Sequence, residues 1–275
     1  DYTSLSEAIS EERNVTILNA LSNDLSVMRQ SMLFGLLEST AYNLNRKSSN
    51  FRLFEFGNTY HKYDSGYNEN KHLALVFTGN RTGDHWGLQA QESDFFYMKG
   101  VVAGLLQRLG VKGIRYGKMK NDMISEGLAL YSGKKKLVEF GVVGSNVLKS
   151  FGIKQEVLFA DFDWANVVQS MEGTQIKVEE LPKHPEVKRD LALLLDEEVN
   201  FVDLHDFAKQ SEKKLLKQVD LFDVYLGDKL PEGKKSYALS FILQDKNKTL
   251  TDKQIDKIMK KLQQGFEHQF KAELR

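Results

Sequence analysis

Two groups of cations and two tyrosines carry most of the chemistry legible in this chain. Lys183, Lys188 and Arg189 cluster at the entry to a strand in the last third, and Lys234 and Lys235 stand at the entry to another. Tyr225 and Tyr237 lie in or beside the same strands. Fixed cations hold phosphate oxygens, and planar rings hold unstacked bases, so these residue types together suit a single-stranded nucleic acid. Arg189 has two readings. It either meets such a ligand or ties the preceding segment to the sheet by hydrogen bonds. Phe222 and Phe241 are expected in the core.

Other chemistries find no support in residue types or spacing. Cysteine is absent, which removes disulfides, thiol catalysis and thiolate metal sites. The histidines at 61, 72, 85, 184, 205 and 268 show no metal-ligand spacing, so no metal site is expected. His85 beside Trp86 reads as a loop pair, and Asp196-Glu197-Glu198 as a solvated turn closing a strand. No glycine-rich loop of the phosphate-cradling kinds occurs. The 38 basic and 38 acidic residues leave a formal net charge of zero. Any contact with a polyanion must therefore use a local patch.

The elements that must position these residues follow from periodicity. From Pro182 onward the pattern runs strand, helix, strand, strand, helix, short strand. Arg189 to Leu195 is the first strand, with a helix over Val202 to Leu216. Strands follow over Val219 to Leu226 and Ser236 to Leu243. Thr251 and Gln254 form a capping box for the last helix, whose apolar positions are Ile255, Ile258, Met259, Leu262 and Phe266. This order builds a small sheet with both helices on one face and the other face open, a platform for single-stranded RNA.

Upstream, Val15 to Leu18 reads as a short strand. A helix over Val27 to Arg46 follows, with Met28, Met32, Leu36 and Leu37 on one stripe. Phe51 to Gly57 and Leu73 to Gly79 read as strands with a loop over Tyr63 to Asn70 between them. Ser93 is the expected N-cap of a helix reaching Leu109. Strands are expected over Gly127 to Tyr131, Lys136 to Val143 and Val157 to Asp161, with a short helix over Ser145 to Ser150. The fold class is therefore α+β. A mixed domain over 1–172 precedes a linker at 173–181 and a βαββαβ domain over 182–275. The hydrophobic share of 41% and charged share of 28% suit ordinary globular domains. No apolar run approaches the length of a membrane span, and neither membrane nor DNA is an expected partner. The polar start at Asp1, without an initiator methionine, points to a segment of a longer protein.

Several residue blocks carry a family likeness. Arg189-Asp190-Leu191-Ala192, Leu221-Phe222-Asp223-Val224-Tyr225, Gly233-Lys234-Lys235-Ser236, Leu243-Gln244-Asp245, Thr249-Leu250-Thr251-Asp252 and Leu274-Arg275 occur in order. Together they resemble the ferredoxin-fold anticodon-binding domain of phenylalanyl-tRNA synthetases. The first domain is similar to the class II synthetase-like module of the bacterial β subunit, an antiparallel-sheet domain. Its likeness rests on Arg29-Gln30-Ser31-Met32-Leu33-Phe34-Gly35-Leu36-Leu37, Leu53-Phe54-Glu55-Phe56-Gly57 and Asp94-Phe95-Phe96-Tyr97-Met98-Lys99-Gly100. Phe34 stands where the family usually has proline, and the family's His-Pro-Gly-Arg turn is not found near Asn121 to Leu130.

The resemblance implies a ligase that uses ATP and Mg2+ to join phenylalanine to tRNA(Phe) in the cytoplasm. It also implies an α subunit that holds the active site, while this module is a silent copy. The residues agree with a silent copy. The candidate paired strand offers Glu55 but no convincing arginine at the place equivalent to the family's ATP-binding one, and Phe159 to Trp164 has neither a glycine-rich run nor an arginine. No catalytic residue and no bound cofactor are therefore expected here. The expected tRNA contacts are Lys183, Lys188, Arg189, Tyr225, Lys234, Lys235 and Tyr237, and the expected subunit contacts are Met28, Arg29, Met32 and Leu36. The alternatives are a single-chain organellar-type synthetase, which the missing arginines oppose, and a free-standing RNA- or protein-binding module.

Overall fold

The computed structural model describes residues 2–20, 22, 26–83, 85–171, 180–227 and 229–275. The chain divides into two units, residues 1–177 and 178–275. Most of the expected linker, 173–179, lies outside the described residues.

In the first unit, β1 (Val15–Thr16) pairs with β2 (Val27–Met28). Then come α1 (Leu33–Leu44), β3 (Phe51–Tyr63), β4 (Gly66–Thr78) and α2 (Phe95–Arg108). The unit continues through β5 (Ile114–Lys118), β6 (Ile124–Ser132), β7 (Lys135–Val143) and α3 (Ser145–Ser150). It closes with β8 (Val157–Asp163) and α4 (Trp164–Met171). Six strands form one antiparallel sheet in the order β3-β4-β8-β7-β6-β5.

Both faces of this sheet are covered. Leu33, Phe34, Leu36 and Leu37 of α1 pack with Val76, Val143 and Phe159 on one face. Met98, Val102 and Leu106 of α2 pack with Leu75, Leu130, Phe140 and Phe162 on the other. This explains the unbroken apolar run in β4. Alternate residues of a strand buried on both sides all need to be apolar.

Several elements differ from their expected bounds for local reasons. The helix expected from Val27 begins at Leu33, because Val27 and Met28 pair with Thr16 and Val15 as strand. The Ser31 hydroxyl accepts from the Leu33 N–H at 3.1 Å, meeting one donor left open at a helix start. Met28, Met32 and Leu36 merely imitate helical spacing across that junction. The loop expected over Tyr63 to Asn70 is a tight hairpin, with Tyr63 opposite Gly66 and Gly66 at φ +120°. The outer half of this ribbon is exposed, so no one-sided alternation marks it as strand. Asp94, not Ser93, caps α2, its carboxylate accepting from the Tyr97 N–H at 2.7 Å. Asp163 likewise accepts from the Asn166 N–H at 2.9 Å and starts α4, which reads as a strand end in the sequence. At the family's proline position, Phe34 stacks on Tyr2 with ring centroids 4.3 Å apart, and Tyr2 in turn lies 5.5 Å from Phe151. Burial, followed by the Glu38 carboxylate beside it, pushes the Tyr2 phenol up to about 12.

One polar relay runs across β3, β4 and β8. His72 Nδ1 donates to Asp161 Oδ1 at 2.7 Å, and His72 Nε2 meets Thr59 Oγ1 at 3.0 Å. Thr59 is 2% exposed, so its hydroxyl is closed to any substrate. The relay joins strands; it offers no nucleophile.

In the second unit, β9 (Val187–Asp196) is followed by α5 (Phe201–Ser211), β10 (Leu216–Tyr225) and β11 (Lys234–Leu243). Then come α6 (Asp252–Phe270) and β12 (Glu273–Leu274). The antiparallel sheet has the order β10-β11-β9-β12, and the element order is βαββαβ. Leu193, Leu195, Leu239 and Phe241 pack under Leu204 of α5 and Ile255, Leu262 and Phe266 of α6. The Thr251–Gln254 capping box opens α6 as expected. Helix α5 stops at Ser211 instead of Leu216. The Glu212 carboxylate accepts from the Lys214 and Leu215 N–H groups, both at 3.1 Å, and turns the chain so that Leu216 enters the sheet opposite Leu243.

Candidate nucleic-acid interface

Register decides which residues share a face of the second sheet. On β9 and β11 the pairs Leu191–Leu239, Leu193–Tyr237, Leu195–Lys235 and Arg189–Phe241 lie toward the helices. The intervening pairs Lys188–Ile242, Asp190–Ser240, Ala192–Ala238, Leu194–Ser236 and Asp196–Lys234 lie on the uncovered face.

Strand β10 breaks this alternation. Its register shifts between Leu221 and Asp223, so Phe222 is an extra residue in a bulge. Phe222 is consequently 56% exposed, a correction to the core position expected for it. Its ring lies 5.5 Å from Lys188 Nζ. Phe241, without such a slip, is fully buried as expected. Past the bulge, Tyr225 stands opposite Ser236, and the Arg275 guanidinium sits 5.2 Å over its ring. Arg275 reaches that ring from beside β9, where its N–H donates to the Ala192 carbonyl. Ala192 and Ala238 leave a low floor beneath this crossing. The open face thus presents two rings, Phe222 and Tyr225, each met by a cation.

Its charges are largely satisfied within the face. Lys234 Nζ lies 2.9 Å from Asp196 and 4.0 Å from Glu273, and Lys188 Nζ lies 4.0 Å from Asp190. The Lys234 hydrogen bond, then its charge, holds Asp196 below the usual carboxylate range. The same bond holds Lys234 above the usual ammonium range. Asp220 and Asp223 complete a set of five carboxylates against three cations, Lys188, Lys234 and Arg275. Such a face suits uncharged ring faces better than phosphates.

Of the seven residues expected to meet tRNA, Lys188, Tyr225 and Lys234 share this surface. Lys183 is exposed in the segment before β9. Arg189, Lys235 and Tyr237 belong to the helical side, which corrects their grouping with the others. Lys235 is 7% exposed and its Nζ donates to the Glu197 carbonyl at 2.6 Å. It also lies 4.6 Å from the Tyr237 ring, which packs on the core. Arg189 donates to the Lys188 carbonyl at 3.0 Å and stands 3.9 Å from Asp252 at the start of α6. Phe222 and Arg275 are the residues the sequence reading missed as site members. The bulge hides the first, and the second shows itself only once β12 is seen beside β9.

In the first unit the expected contact residues also separate. Met32 and Leu36 are buried in the unit's own core, so they present no surface to a partner. Met28 is half-buried in β2. Arg29 is engaged, donating to Glu55 Oε1 at 2.6 Å and to the Asn58 carbonyl at 2.9 Å. The most open large apolar side chains on edge strand β3 are Phe54 at 72% exposure and Phe56 at 57%. Glu55 and Asp161, the carboxylates with which this sheet could do chemistry, are held by Arg29 and His72. Among the described residues, no group of three or more His, Asp or Glu is placed to hold a metal ion.

Residues 1–164 match the family model described as the phenylalanyl tRNA synthetase beta chain CLM domain, and residues 182–275 match the ferredoxin-fold anticodon binding domain. The chain belongs to the phenylalanyl-tRNA synthetase β-chain family. A phenylalanine–tRNA ligase β subunit from Bacteroides thetaiotaomicron is 43% identical over 98% of this chain and 34% of the relative. That of Porphyromonas gingivalis is 38% identical over 96% of this chain and 34% of the relative. That of Geobacillus kaustophilus is 34% identical over 93% of this chain and 32% of the relative. The chain therefore spans about a third of the length of the curated relatives it matches. Among solved structures, a pyrrolysyl-tRNA synthetase from Desulfitobacterium hafniense has a TM-score of 0.46 at 17% identity, over 62% of this chain and 58% of that one. The family's antiparallel class II-like module and ferredoxin-like βαββαβ domain correspond to the two sheets described above.

Proposed function

We propose that this chain is the part of a phenylalanine–tRNA ligase β subunit that docks an α subunit and receives the anticodon region of tRNA(Phe). The enzyme as a whole would charge that tRNA with phenylalanine in the cytoplasm. The reading is supported by family membership and by one feature of the second sheet: its uncovered face carries the exposed ring of Phe222 and the half-buried ring of Tyr225. Unstacked bases settle on such rings, and the internally neutralised charges around them leave phosphate-driven attraction weak.

ATP and Mg2+ belong in this reading to the assembled ligase, with the α subunit. The residues of this chain do not fit their site. Phosphate charge in acyl transfer needs fixed cations aimed at it, yet Arg29 faces Glu55. No step through ATP or magnesium is assigned here. The purified chain is expected to give ATP–pyrophosphate exchange at the no-enzyme background. Phenylalanine-dependent exchange above that background would refute the non-catalytic role.

The tRNA contact is tested by fluorescence anisotropy with an anticodon stem-loop of tRNA(Phe). Stacking of one base on one ring is worth about 1–3 kcal/mol, so Phe222→Ala should weaken binding roughly 5- to 150-fold, and Tyr225→Ala, whose ring must first give up Arg275, should weaken it less. Tyr225→Phe, which keeps the ring, should retain most of the affinity. Wild-type affinity in both alanine variants would reject the sheet face as the contact.

A further inference from the structure

The uncovered sheet face carries rings but an excess of carboxylates, so the phosphates of an RNA lying on those rings need another holder. We propose that this holder is the lysine cluster where α5 ends and β10 begins: Lys209, Lys213, Lys214 and Lys217, with Lys261 of α6. The inference rests on the anticodon-binding reading and extends it to the backbone of the same RNA.

Three elements bring the cluster together. Lys209 Nζ donates to the Lys217 carbonyl, which joins the end of α5 to the start of β10. Lys261 Nζ donates to the Ser211 carbonyl, which brings α6 to the same point. Lys213 and Lys214 lie exposed on the turn between them, and Lys217 is exposed on β10. Two nearby acids accept hydrogen bonds from groups other than these lysines. The Glu212 carboxylate accepts the two backbone N–H groups that form the turn. Asp220 accepts from Gln218 at 2.9 and 3.0 Å. Burial, then the charge of Lys217, pushes Lys209 below the usual ammonium range, with the Asp220 carboxylate opposing the shift.

The placement relative to the rings gives the cluster its use. Strand β10 is an outer strand of the sheet, with Lys217 near its start and Phe222 and Tyr225 further along. Five residues of strand span about 17 Å, within reach of a few nucleotides of one strand. An RNA running along this edge would set its bases on the rings and its phosphates on the lysines. The division matches the general one in which phosphate contacts position and base contacts specify.

The test is the salt dependence of binding by the full chain to the anticodon stem-loop, measured by anisotropy from about 25 to 200 mM KCl. The variant is Lys213→Ala/Lys214→Ala/Lys217→Ala. Lys209 and Lys261 are left intact because their ammonium groups hold backbone carbonyls. Each lost phosphate contact removes about 0.7–0.9 from the slope of log affinity against log salt. The triple variant should therefore lose about 2 to 3 of slope and bind at least roughly tenfold more weakly at low salt. Phe222→Ala should weaken binding with the wild-type slope. A triple variant with unchanged slope, beside a weakened Phe222→Ala, overturns the lysine surface and leaves the sheet-face reading standing. A wild-type chain that binds no stem-loop at the lowest salt overturns both.

Discussion

On the function proposed above, replacing Phe54 and Phe56 together with aspartate is expected to release this chain from an α subunit while leaving both folded. Phe54 and Phe56 project from the outer strand of the first sheet, on the side that α2 and α4 cover only further in. Phe56 touches Trp164 edge-on at 4.9 Å, whereas Phe54 is the more open of the two. Natural proteins protect an outer strand with charge, proline or a covering segment. Here two large apolar side chains stand in that position, the mark of a surface that another chain covers. In the function proposed above, that chain is the α subunit. Fully burying one phenylalanine contributes about 1.5–3 kcal/mol. Burying a carboxylate in its place costs more, so the double variant should associate at least roughly 100-fold more weakly. Sedimentation of co-expressed subunits reads this directly. Met32→Ala provides the contrast. It should cost about 2–5 kcal/mol of stability, since Met32 fills the first unit's own core, without separating subunits that remain folded. An α–β complex that survives both aspartates would place the interface elsewhere.

A large loss of stability is also expected at Gly141, in the second half of β7. A Cβ there would stand 2.1 Å from the Glu126 carbonyl oxygen and 2.7 Å from Gly127 Cα. Both obstacles are backbone of the paired strand β6, which cannot turn aside as a side chain would. Gly141→Ala should therefore destabilise the first unit by about 3 kcal/mol or more, near the upper end for overpacking. For a unit of this size that lowers its midpoint by roughly 6–12 °C. Differential scanning calorimetry should show the first unit's transition moving and the second unit's staying in place. Gly35→Ala is the matched control, because a Cβ on α1 there meets nothing within 4 Å. It should be neutral or slightly stabilising. A Gly141→Ala protein that melts like wild type would mean that β6 and β7 separate more easily than their pairing suggests.

Elements with one buried face were legible from residue spacing. The 3.6-residue pattern of α6 has a single apolar side, and its bounds, like those of β9 and β11, fall within a few residues of expectation. Legibility failed where two patterns coincide or none exists. Met28, Met32 and Leu36 continue a helical stripe through a strand, because spacing alone does not report the pairing of Val27 with Thr16. The outer β3–β4 ribbon has no buried side, so its residues give no period. The candidate site suffered most. Lys234 and Lys235, or Lys188 and Arg189, are neighbours in sequence but opposite in a strand, so proximity in the chain grouped residues that the pleat separates. The bulge at Phe222 reversed the side on which an aromatic residue was expected, and no residue type announces a bulge of this kind.

Arg275 lies over Tyr225 across a floor made low by Ala192 and Ala238. A nucleobase arriving at that ring would find a guanidinium already over it, 5.2 Å from the ring centroid. Recognition at Tyr225 is then an exchange of one planar partner for another, and the affinity reports the difference between two stacks. Exposed cation–ring contacts are worth about 0.5–1 kcal/mol, against about 1–3 for a base on a ring. On the anticodon-binding reading proposed above, the exchange would favour the base by a narrow margin, so this face would reject ligands that stack poorly.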